Sequence, residues 1–362
     1  MIHLGSIGNI LAVGATAFAA SVIAVAQMDA NPTLFLFDKF FATNKLLRKN
    51  LTGKNIWIIG ASSGIGAELA KQLSESDANL ILSSRYSETL DAIASSCRTP
   101  SNIVSVVPLD MTGSEEELEV AVQTVQGILG TADTSASKKN RQLDMVVINA
   151  GRGHLSPAID TTQETTHQIF QLNTLGPIAM TALLLKRGLL KSPTGHLVLT
   201  SSVAAKMGVP LSASYAASKH ALHGYYASLQ AECPWMRVDL LCPGPVATNF
   251  HNSNKIMTDH KSHDNNQGGT ESCRQANPKR KALRELKMPV ERCAKLMISS
   301  MVMKNGGERW IAEQPVLLGL YINQYLPGLF AKALRKIGPV RMQAWKEGKN
   351  LYDPETWKRS RR

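Results

Sequence analysis

The residues of this chain best suited to chemistry are a tyrosine and a lysine four positions apart, Tyr215 and Lys219. Residues four apart on a helix share a face, so the Lys219 ammonium would lie close to the Tyr215 phenol and favour its ionised form. An unperturbed phenol has a pKa of about 10, and a neighbouring cation moves that pKa towards the working range of a general acid or base. The pair therefore predicts proton transfer to or from an oxygen atom.

A glycine-rich turn, residues 60–66, lies upstream of this pair. It follows a short apolar segment and precedes a helical pattern, so its N–H groups and the positive end of the helix would point at a pyrophosphate. A turn that merely connects a strand to a helix is the alternative. No Gly-Lys-Ser/Thr follows, which excludes the phosphate loop of nucleoside triphosphatases. The turn residues predicted to hold a dinucleotide are Gly60, Ser62, Ser63, Gly64, Ile65 and Gly66.

The segment after the second predicted strand indicates which dinucleotide binds. A cofactor without the 2′-phosphate ordinarily meets an acidic residue there, whereas this chain has Ser84 and Arg85. An arginine fork suits a phosphate, which predicts NADP(H) over NAD(H), with a solvated arginine as the alternative. After the third strand, Asp110 and Met111 are predicted to meet the adenine. Small residues that let a cofactor approach end the fourth strand: Asn149, Ala150 and Gly151.

Strand and helix patterns alternate between residues 55 and 242. The predicted strands are 55–59, 79–83, 103–108, 143–148, 196–201 and 237–242. The predicted helices are about 65–76, 87–96, 164–190 and 215–233. Repeated βα units with nearly continuous apolar strands predict an α/β fold, a doubly wound parallel sheet of Rossmann type in three layers.

Taken together, these motifs resemble the short-chain dehydrogenase/reductase family. The resemblance covers about residues 52–250 and rests on the glycine turn, Asn149–Gly151, Ser202, the Tyr215–Lys219 pair and Pro243-Gly244. A closer resemblance, to the membrane-bound member 7 group of that family, rests on Trp57, the segments 215–222 and 242–246, and Glu313-Gln314-Pro315 with the apolar run after it.

The resemblance implies a role for each catalytic residue. Tyr215 would exchange a proton with the substrate oxygen, and Ser202 would hydrogen-bond the same oxygen. Lys219 would bind the nicotinamide ribose, and Asn173 would hold a water that connects Lys219 to solvent. Ser201 is the alternative candidate for the role of Ser202, and the family spacing favours Ser202. Asn173 could instead bond only to helix backbone. The residues implied to line the nicotinamide are Pro245, Val246 and Thr248.

Bulk composition limits the remaining possibilities. The chain has 362 residues, of which 44% are hydrophobic, with a net charge of +12. Five widely spaced cysteines without a metal-binding pattern are interpreted as mostly structural thiols, so no metal site is predicted. The C-terminal thirty residues are strongly basic. An anionic membrane surface is favoured over nucleic acid as their partner, because no nucleic-acid motif accompanies them.

The first 28 residues contain no Asp, Glu, Lys or Arg. Their apolar run is long enough to cross a bilayer, which favours a single-pass anchor over a cleaved signal peptide. Basic residues after it place the body in the cytosol by the positive-inside rule, whereas a glycosylation sequon at Asn50 would matter only in the lumen. The side of the membrane therefore stays open.

The predicted organisation is an anchor (1–28), a linker (29–52), a dinucleotide-binding core (53–250), a polar mobile loop (251–290) and a helical, basic extension (291–362). The loop is expected near substrate, with a surface insertion without function as the alternative. Within the extension, residues 314–331 favour an amphipathic element on the membrane over a second span. The resulting hypothesis is an NADP(H)-dependent oxidoreductase of the endoplasmic reticulum membrane, possible as a homodimer, acting on a carbonyl or alcohol of a steroid- or retinoid-like molecule. The alternatives are a nucleotide-binding scaffold without turnover and an NAD-dependent alcohol dehydrogenase.

Overall fold

A seven-stranded parallel sheet lies at the centre of the computed structural model, which describes residues 26–131, 142–248, 250, 287–349 and 351. The strands are β1 (Asn55–Ile59), β2 (Asn79–Ser83), β3 (Val104–Val106), β4 (Met145–Ile148), β5 (His196–Thr200), β6 (Arg237–Pro243) and β7 (Gly307–Ile311). Their spatial order is β3-β2-β1-β4-β5-β6-β7. The order reverses between β1 and β4, and in such sheets ligands bind in the crevice outside the carboxyl ends of the strands at this point.

Helices cover both faces of the sheet. They are α1 (Pro32–Phe40), α2 (Asn44–Leu51), α3 (Gly64–Ser74), α4 (Ser87–Cys97), α5 (Glu115–Thr131), α6 (Gln163–Phe170), α7 (Gly176–Lys186), α8 (Ala213–Glu232), α9 (Val290–Val302), α10 (Val316–Tyr325) and α11 (Pro327–Lys346). One apolar layer joins the sheet to α3, α4 and α9. The other joins it to α5, α7 and α8.

Strand β1 explains why the sheet has two covered faces. Its side chains alternate, with Ile56 and Ile58 in one layer and Trp57 and Ile59 in the other, and all four are buried. The Trp57 indole N–H donates to Ser83 Oγ at 2.8 Å, which satisfies the polar atom of a fully buried ring. The predicted three-layer Rossmann-type fold is confirmed.

The helix predicted over residues 164–190 is interrupted. A π-helical turn, Gln171–Leu175, separates α6 from α7 and contains Asn173. Its insertion is stabilised by tertiary bonds that a hydropathy pattern does not contain, since the Asn173 and Thr174 side chains bond to Ser218. Of the described helices, Gln163–Lys186 is also the one with the length and apolar composition of a membrane span. Half of that window is buried inside the protein, which is typical of a core helix.

Among the elements after β1, helix α5 and strand β7 have no counterpart among the sequence predictions, whereas α9 lies at the start of the predicted helical extension. Helix α5 does carry a start signal, because Ser114 and Glu117 form a capping box: the Ser114 N–H donates to Glu117 Oε2 at 2.8 Å, and the Glu117 N–H donates to Ser114 Oγ at 3.3 Å. Strand β7 has partly exposed residues and a weak apolar pattern, so only its pairing with β6 identifies it.

The residues before β1, for which the sequence predicts a linker, form α1 and α2. Arg292 on α9 holds this segment: its guanidinium donates to both Asp29 oxygens at 2.7 and 3.0 Å and to Asp38 at 2.6 Å. Burial opposes the charge, but these carboxylates raise the Arg292 pKa above its ordinary value. Residues 1–25 of the predicted anchor and 251–286 of the predicted loop lie outside the described residues.

Candidate active site

Tyr215 and Lys219 lie in the first two turns of α8, at the carboxyl end of β5. Lys219 is 4% exposed, and its Nζ donates to the Thr200 carbonyl oxygen at 3.0 Å. The Tyr215 ring meets Phe250 edge-on, with centroids 6.2 Å apart. The two residues therefore share a helix face directed at the sheet edge.

Lys219 and Asn173 converge on Gly151. A methyl group built on Gly151 would lie 3.3 Å from both Lys219 Nζ and Asn173 Oδ1. Asn173 accepts from the Arg152 N–H at 2.8 Å and donates to the Arg152 carbonyl at 2.9 Å and to Ser218 Oγ at 3.1 Å. The end of β4, the π turn and α8 thus meet at one point.

Burial changes the proton affinity of Lys219. Removal from water disfavours the ammonium and lowers the pKa of Lys219 to about 8, while the nearby Cys242 acts weakly in the opposite direction. The side chain remains mainly protonated at pH 7. It therefore still places a positive charge in a site with little access to solvent.

Ser201 and Ser202 follow β5 and are both buried. Ser202 Oγ accepts from the Ala204 N–H at 3.1 Å and lies 3.5 Å from the Pro243 carbonyl oxygen. Ser201 Oγ instead lies 2.8 Å from His223 Nε2. The two adjacent hydroxyls therefore have separate partners.

The glycine turn is built for close approach of backbone. Gly60 has φ +93°, and a methyl group on it would lie 2.5 Å from the Ala150 nitrogen. A methyl group on Gly66 would lie 2.0 Å from the Gly60 oxygen, so no larger residue fits there. Asn149 Nδ2 donates to the same Gly60 oxygen at 3.0 Å, which connects the turn to the end of β4. Ser63 precedes α3 without a side-chain cap, so its hydroxyl does not occupy the N–H groups of the first turn.

The other predicted cofactor residues continue along the same edge. The Gly60 N–H donates to the Ser83 carbonyl at 2.7 Å, and the Leu109 N–H to the Ser84 carbonyl at 3.0 Å. These bonds bring the turn together with Ser84, Arg85, Asp110 and Met111. Arg85 is exposed, with its guanidinium 5.4 Å from the Tyr86 ring centroid, and Met111 is buried.

The segment after β6 closes the other side of the turn. The Thr248 side chain lies 3.3 Å from where a Gly64 methyl group would stand, beside Ile65 and the start of α3. Pro245 and Val246 are held by Met288, whose N–H donates to the Pro245 carbonyl at 3.0 Å. Ser62 and Ser63 are partly or fully exposed at the surface of the turn. No cluster of metal-binding side chains occurs among the described residues.

A model of the short chain dehydrogenase family matches residues 54–258, which contain this edge of the sheet. The chain belongs to this family. Member 7 of the SDR family of dehydrogenase/reductases from Homo sapiens is 33% identical over 307 residues, 82% of this chain and 81% of that protein. The chain is therefore an oxidoreductase of the short-chain dehydrogenase family, whose fold binds NAD(P).

Solved members of the family share the fold. An alcohol dehydrogenase from Thermococcus sibiricus, complexed with 5-hydroxy-NADP, is 23% identical with a TM-score of 0.58, covering 72% of this chain and 97% of its own. A family member from Burkholderia phymatum in complex with NAD is 19% identical with a TM-score of 0.56, covering 84% and 98%. One of these structures holds an NADP derivative and the other NAD, so the fold does not decide between the two cofactors.

Sequence reasoning overlooked two residues beside the site, His223 and Glu308. His223 Nδ1 lies 3.0 Å from Glu308 Oε2, and its Nε2 faces Ser201. A signal existed for His223, because it lies four residues after Lys219 and continues the helix face of Tyr215. None existed for Glu308, whose strand was not predicted.

Proposed function

We propose that this short-chain dehydrogenase interconverts a carbonyl and a secondary alcohol on a lipophilic, steroid- or retinoid-like substrate with NADP(H), using Tyr215 as the general acid or base. The observation that carries the proposal is the convergence of Lys219 and Asn173 on Gly151. Lys219 lies one helical turn after Tyr215 on α8. The close-packed Gly60 and Gly66 supply the cradle that a dinucleotide needs.

In this proposal the cofactor is held along the whole carboxyl edge of the sheet. The glycine turn would hold its pyrophosphate, Ser84 and Arg85 its 2′-phosphate, and Asp110 and Met111 its adenine. The small residues Asn149, Ala150 and Gly151 would let it approach the end of β4, and Pro245, Val246 and Thr248 would line its nicotinamide. When bound, the nicotinamide supplies or accepts the hydride.

Tyr215 delivers a proton to the substrate oxygen in reduction and removes it in oxidation. Lys219 makes this possible, because a buried ammonium stabilises the phenolate more strongly than an exposed one would. With its pKa at about 8, Lys219 also carries its charge through the neutral range. It would hold the nicotinamide ribose with the donor hydrogens that its bond to the Thr200 carbonyl leaves unused.

Ser202 donates its hydroxyl hydrogen to the same substrate oxygen. The Ala204 N–H occupies one Oγ lone pair at 3.1 Å, while the contact to the Pro243 carbonyl is long at 3.5 Å and is readily exchanged for a substrate oxygen. A second donor fixes the carbonyl for attack and stabilises developing charge.

Asn173 contributes to the proton relay by position. Its amide already makes three bonds to the Arg152 backbone and Ser218, which leave one Oδ1 lone pair. That oxygen lies beside the same Gly151 position as Lys219 Nζ. A water held between them would connect the ammonium to solvent.

The lipophilic substrate class is supported by an apolar cluster next to Ser202, where the residues after the predicted anchor contact helix α10. Met28, Val203, Leu317, Leu320 and Tyr321 form one apolar cluster. The described part of the chain therefore emerges from the predicted anchor beside the catalytic serine segment. A single-pass anchor in the endoplasmic reticulum membrane would bring this side of the molecule, and with it the substrate entrance, to the bilayer.

The test is a panel of steroid, retinoid and small dicarbonyl substrates, assayed with NADPH and NADH on the wild type and on Tyr215→Phe. We expect turnover of a lipophilic carbonyl by the wild type. Tyr215→Phe should lose about 100-fold or more in kcat and keep its cofactor affinity, because only the proton donor is removed. Cofactor binding without turnover on any substrate would instead support the scaffold, and retained turnover in Tyr215→Phe would refute the proton-transfer role.

A further inference from the structure

A histidine and a glutamate lie directly behind the catalytic serine segment and take no part in the function proposed above. His223 follows Lys219 by one turn on the face of α8 that carries Tyr215. Its Nε2 lies 2.8 Å from Ser201 Oγ and its Nδ1 lies 3.0 Å from Glu308 Oε2. The His223 side chain is 14% exposed, so these contacts are largely shielded from water.

Glu308 is held as a carboxylate. Burial opposes its charge, but hydrogen bonds from His223, Trp310 and Lys206 lower the pKa of Glu308 to about 2. A carboxylate only accepts hydrogen bonds, so His223 Nδ1 carries the proton that is shared with it. In the neutral imidazole, Nε2 then has a lone pair, and it accepts the Ser201 hydroxyl hydrogen.

Hydrogen bonds and an ion pair fix the segment 200–206 at several points. Lys219 donates to the Thr200 carbonyl at 3.0 Å, and His223 Nε2 accepts the hydrogen bond from the Ser201 hydroxyl. Lys206 Nζ lies 3.1 Å from Glu308 Oε2, and Asn323 Nδ2 on α10 donates to the Lys206 carbonyl at 2.6 Å. Ser202 lies between these contacts. The position of its hydroxyl relative to a substrate therefore depends on how rigidly the segment is held.

We propose that His223, oriented by Glu308, is a positioning residue that acts through Ser201 to fix the Ser202 hydroxyl and the Thr200 carbonyl that receives Lys219. The inference rests on the proposed function, because it assigns Ser202 and Lys219 the roles given there. Glu308 and Asn323 lie beyond residues 54–258, so the C-terminal part of the chain completes the site.

Ser201 does not act on substrate itself. It is 4% exposed, and its hydroxyl is already engaged by His223 Nε2 at 2.8 Å. The Cys242 thiol, 3.7 Å from His223 Nε2, is not a competing nucleophile, since burial raises its pKa far above the ordinary value. The contribution of His223 is therefore geometric.

The test compares four variants on the best substrate of the panel: His223→Leu, His223→Gln, Ser201→Ala and the double variant Ser201→Ala/His223→Leu. His220→Leu is the matched control, because His220 is an exposed histidine on the same helix that bonds a carbonyl of its own helix, Ala216 O. Cofactor affinity and thermal unfolding are measured beside kcat and KM.

We expect His223→Leu to lower kcat about tenfold with KM within about twofold, because misplacement affects the chemical step more than binding. His223→Gln should recover most of this loss, since its amide oxygen can accept from Ser201. In the Ser201→Ala background His223→Leu should cause no further loss, because the two residues act in series. The His220→Leu control should match the wild type.

Equal losses from His223→Leu with and without Ser201 would overturn the inference, as would a loss explained entirely by lower thermal stability. A readout without turnover tests the same point. Imidazole ¹⁵N shifts should place the proton of His223 on Nδ1 with Nε2 unprotonated, and the opposite tautomer would refute the arrangement. If the wild type turns over no substrate, the proposed function is refuted. The hydrogen-bond arrangement of Glu308, His223 and Ser201 is then still tested by the tautomer of His223.

Discussion

Lys219 is the residue at which burial and function oppose each other most clearly. A folded-state pKa of about 8, against about 10.5 in the unfolded chain, means that the unfolded state binds more protons between these values. Stability rises with pH wherever the unfolded state binds more protons. The cost of burying this ammonium is therefore fully present below pH 8 and disappears as the pH rises towards 10.5.

A comparison of the wild type with Lys219→Met tests this in the absence of cofactor. The unfolding free energy of the wild type should rise relative to that of the variant by about 2–3 kcal/mol between pH 7 and pH 10. Chemical denaturation at several pH values measures the difference. A gap that does not change with pH would mean that the buried lysine titrates as an exposed one.

Arg85 should determine the choice of cofactor. Replacing Arg85 with Asp removes the phosphate partner and supplies the carboxylate that ribose hydroxyls prefer, so the ratio of NADPH to NADH affinity should fall by roughly 10- to 100-fold. Fluorescence titration with both cofactors measures it. Arg98→Asp, the same charge change at an exposed site on the far end of α4, is the control. An unchanged ratio in Arg85→Asp would contradict the assignment.

Single residues at the site were predictable where their chemistry is local. Tyr215, Lys219 and the glycine turn are recognisable from type and spacing, because a helix face and a strand-to-helix turn fix their neighbours. The partner of His223, Glu308, was not predictable, since it lies on β7, 85 residues away in sequence. The π turn at Asn173 was missed for the same reason.

At the scale of elements, the β1–turn–α3 unit depends on the absence of a side chain at Gly66. Gly66→Ala would bring a methyl group to 2.0 Å from the Gly60 oxygen. Backbone must move to relieve this, so we expect a loss of about 2–4 kcal/mol in unfolding free energy and weaker cofactor binding.

The matched control is Gly127→Ala on α5, where nothing lies within 4 Å of the added methyl group. That change should raise stability by about 0.5–1 kcal/mol, because alanine favours a helix over glycine. Thermal unfolding and cofactor titration of both variants provide the measurement. Equal effects of the two changes would remove the argument for a tight phosphate turn.

Most strands were predictable because a buried parallel strand is apolar at nearly every position. Strands β1 and β2 have the predicted ends, and β5 and β6 differ by one residue. Helix α5 could have been recognised from its capping box at Ser114, whereas β7 could not. Its partly exposed and charged residues do not follow an apolar strand pattern, so only the pairing with β6 identifies it.

At the scale of the whole molecule, exposed apolar side chains and positive charge occur together. Four apolar side chains on α10, on α11 and between them are 50–73% exposed: Leu318, Tyr325, Leu326 and Leu329. Exposed cations follow them on α11, at Lys332, Arg335 and Lys336. Such a face fits the boundary of an anionic bilayer, where apolar groups enter the lipid and cations meet the headgroups.

Reconstitution of the full chain in vesicles with a photo-activatable phospholipid tests this face. Cross-links should appear on residues 318–329. They should not appear around Val120 on α5, which is apolar and 62% exposed but follows an acidic stretch, residues 115–119. Labelling of the first 28 residues with none on 318–329 would mean that the anchor alone holds the protein at the membrane.

The most direct test of the account follows a labelled hydride. The chain should transfer one deuterium from NADPH carrying deuterium at both C4 positions to the carbinol carbon of a lipophilic ketone, as detected by mass spectrometry of the alcohol. Tyr215→Phe should bind the same cofactor and form almost no labelled alcohol. Alcohol without the label, or labelled alcohol formed by Tyr215→Phe at the wild-type rate, would contradict the account.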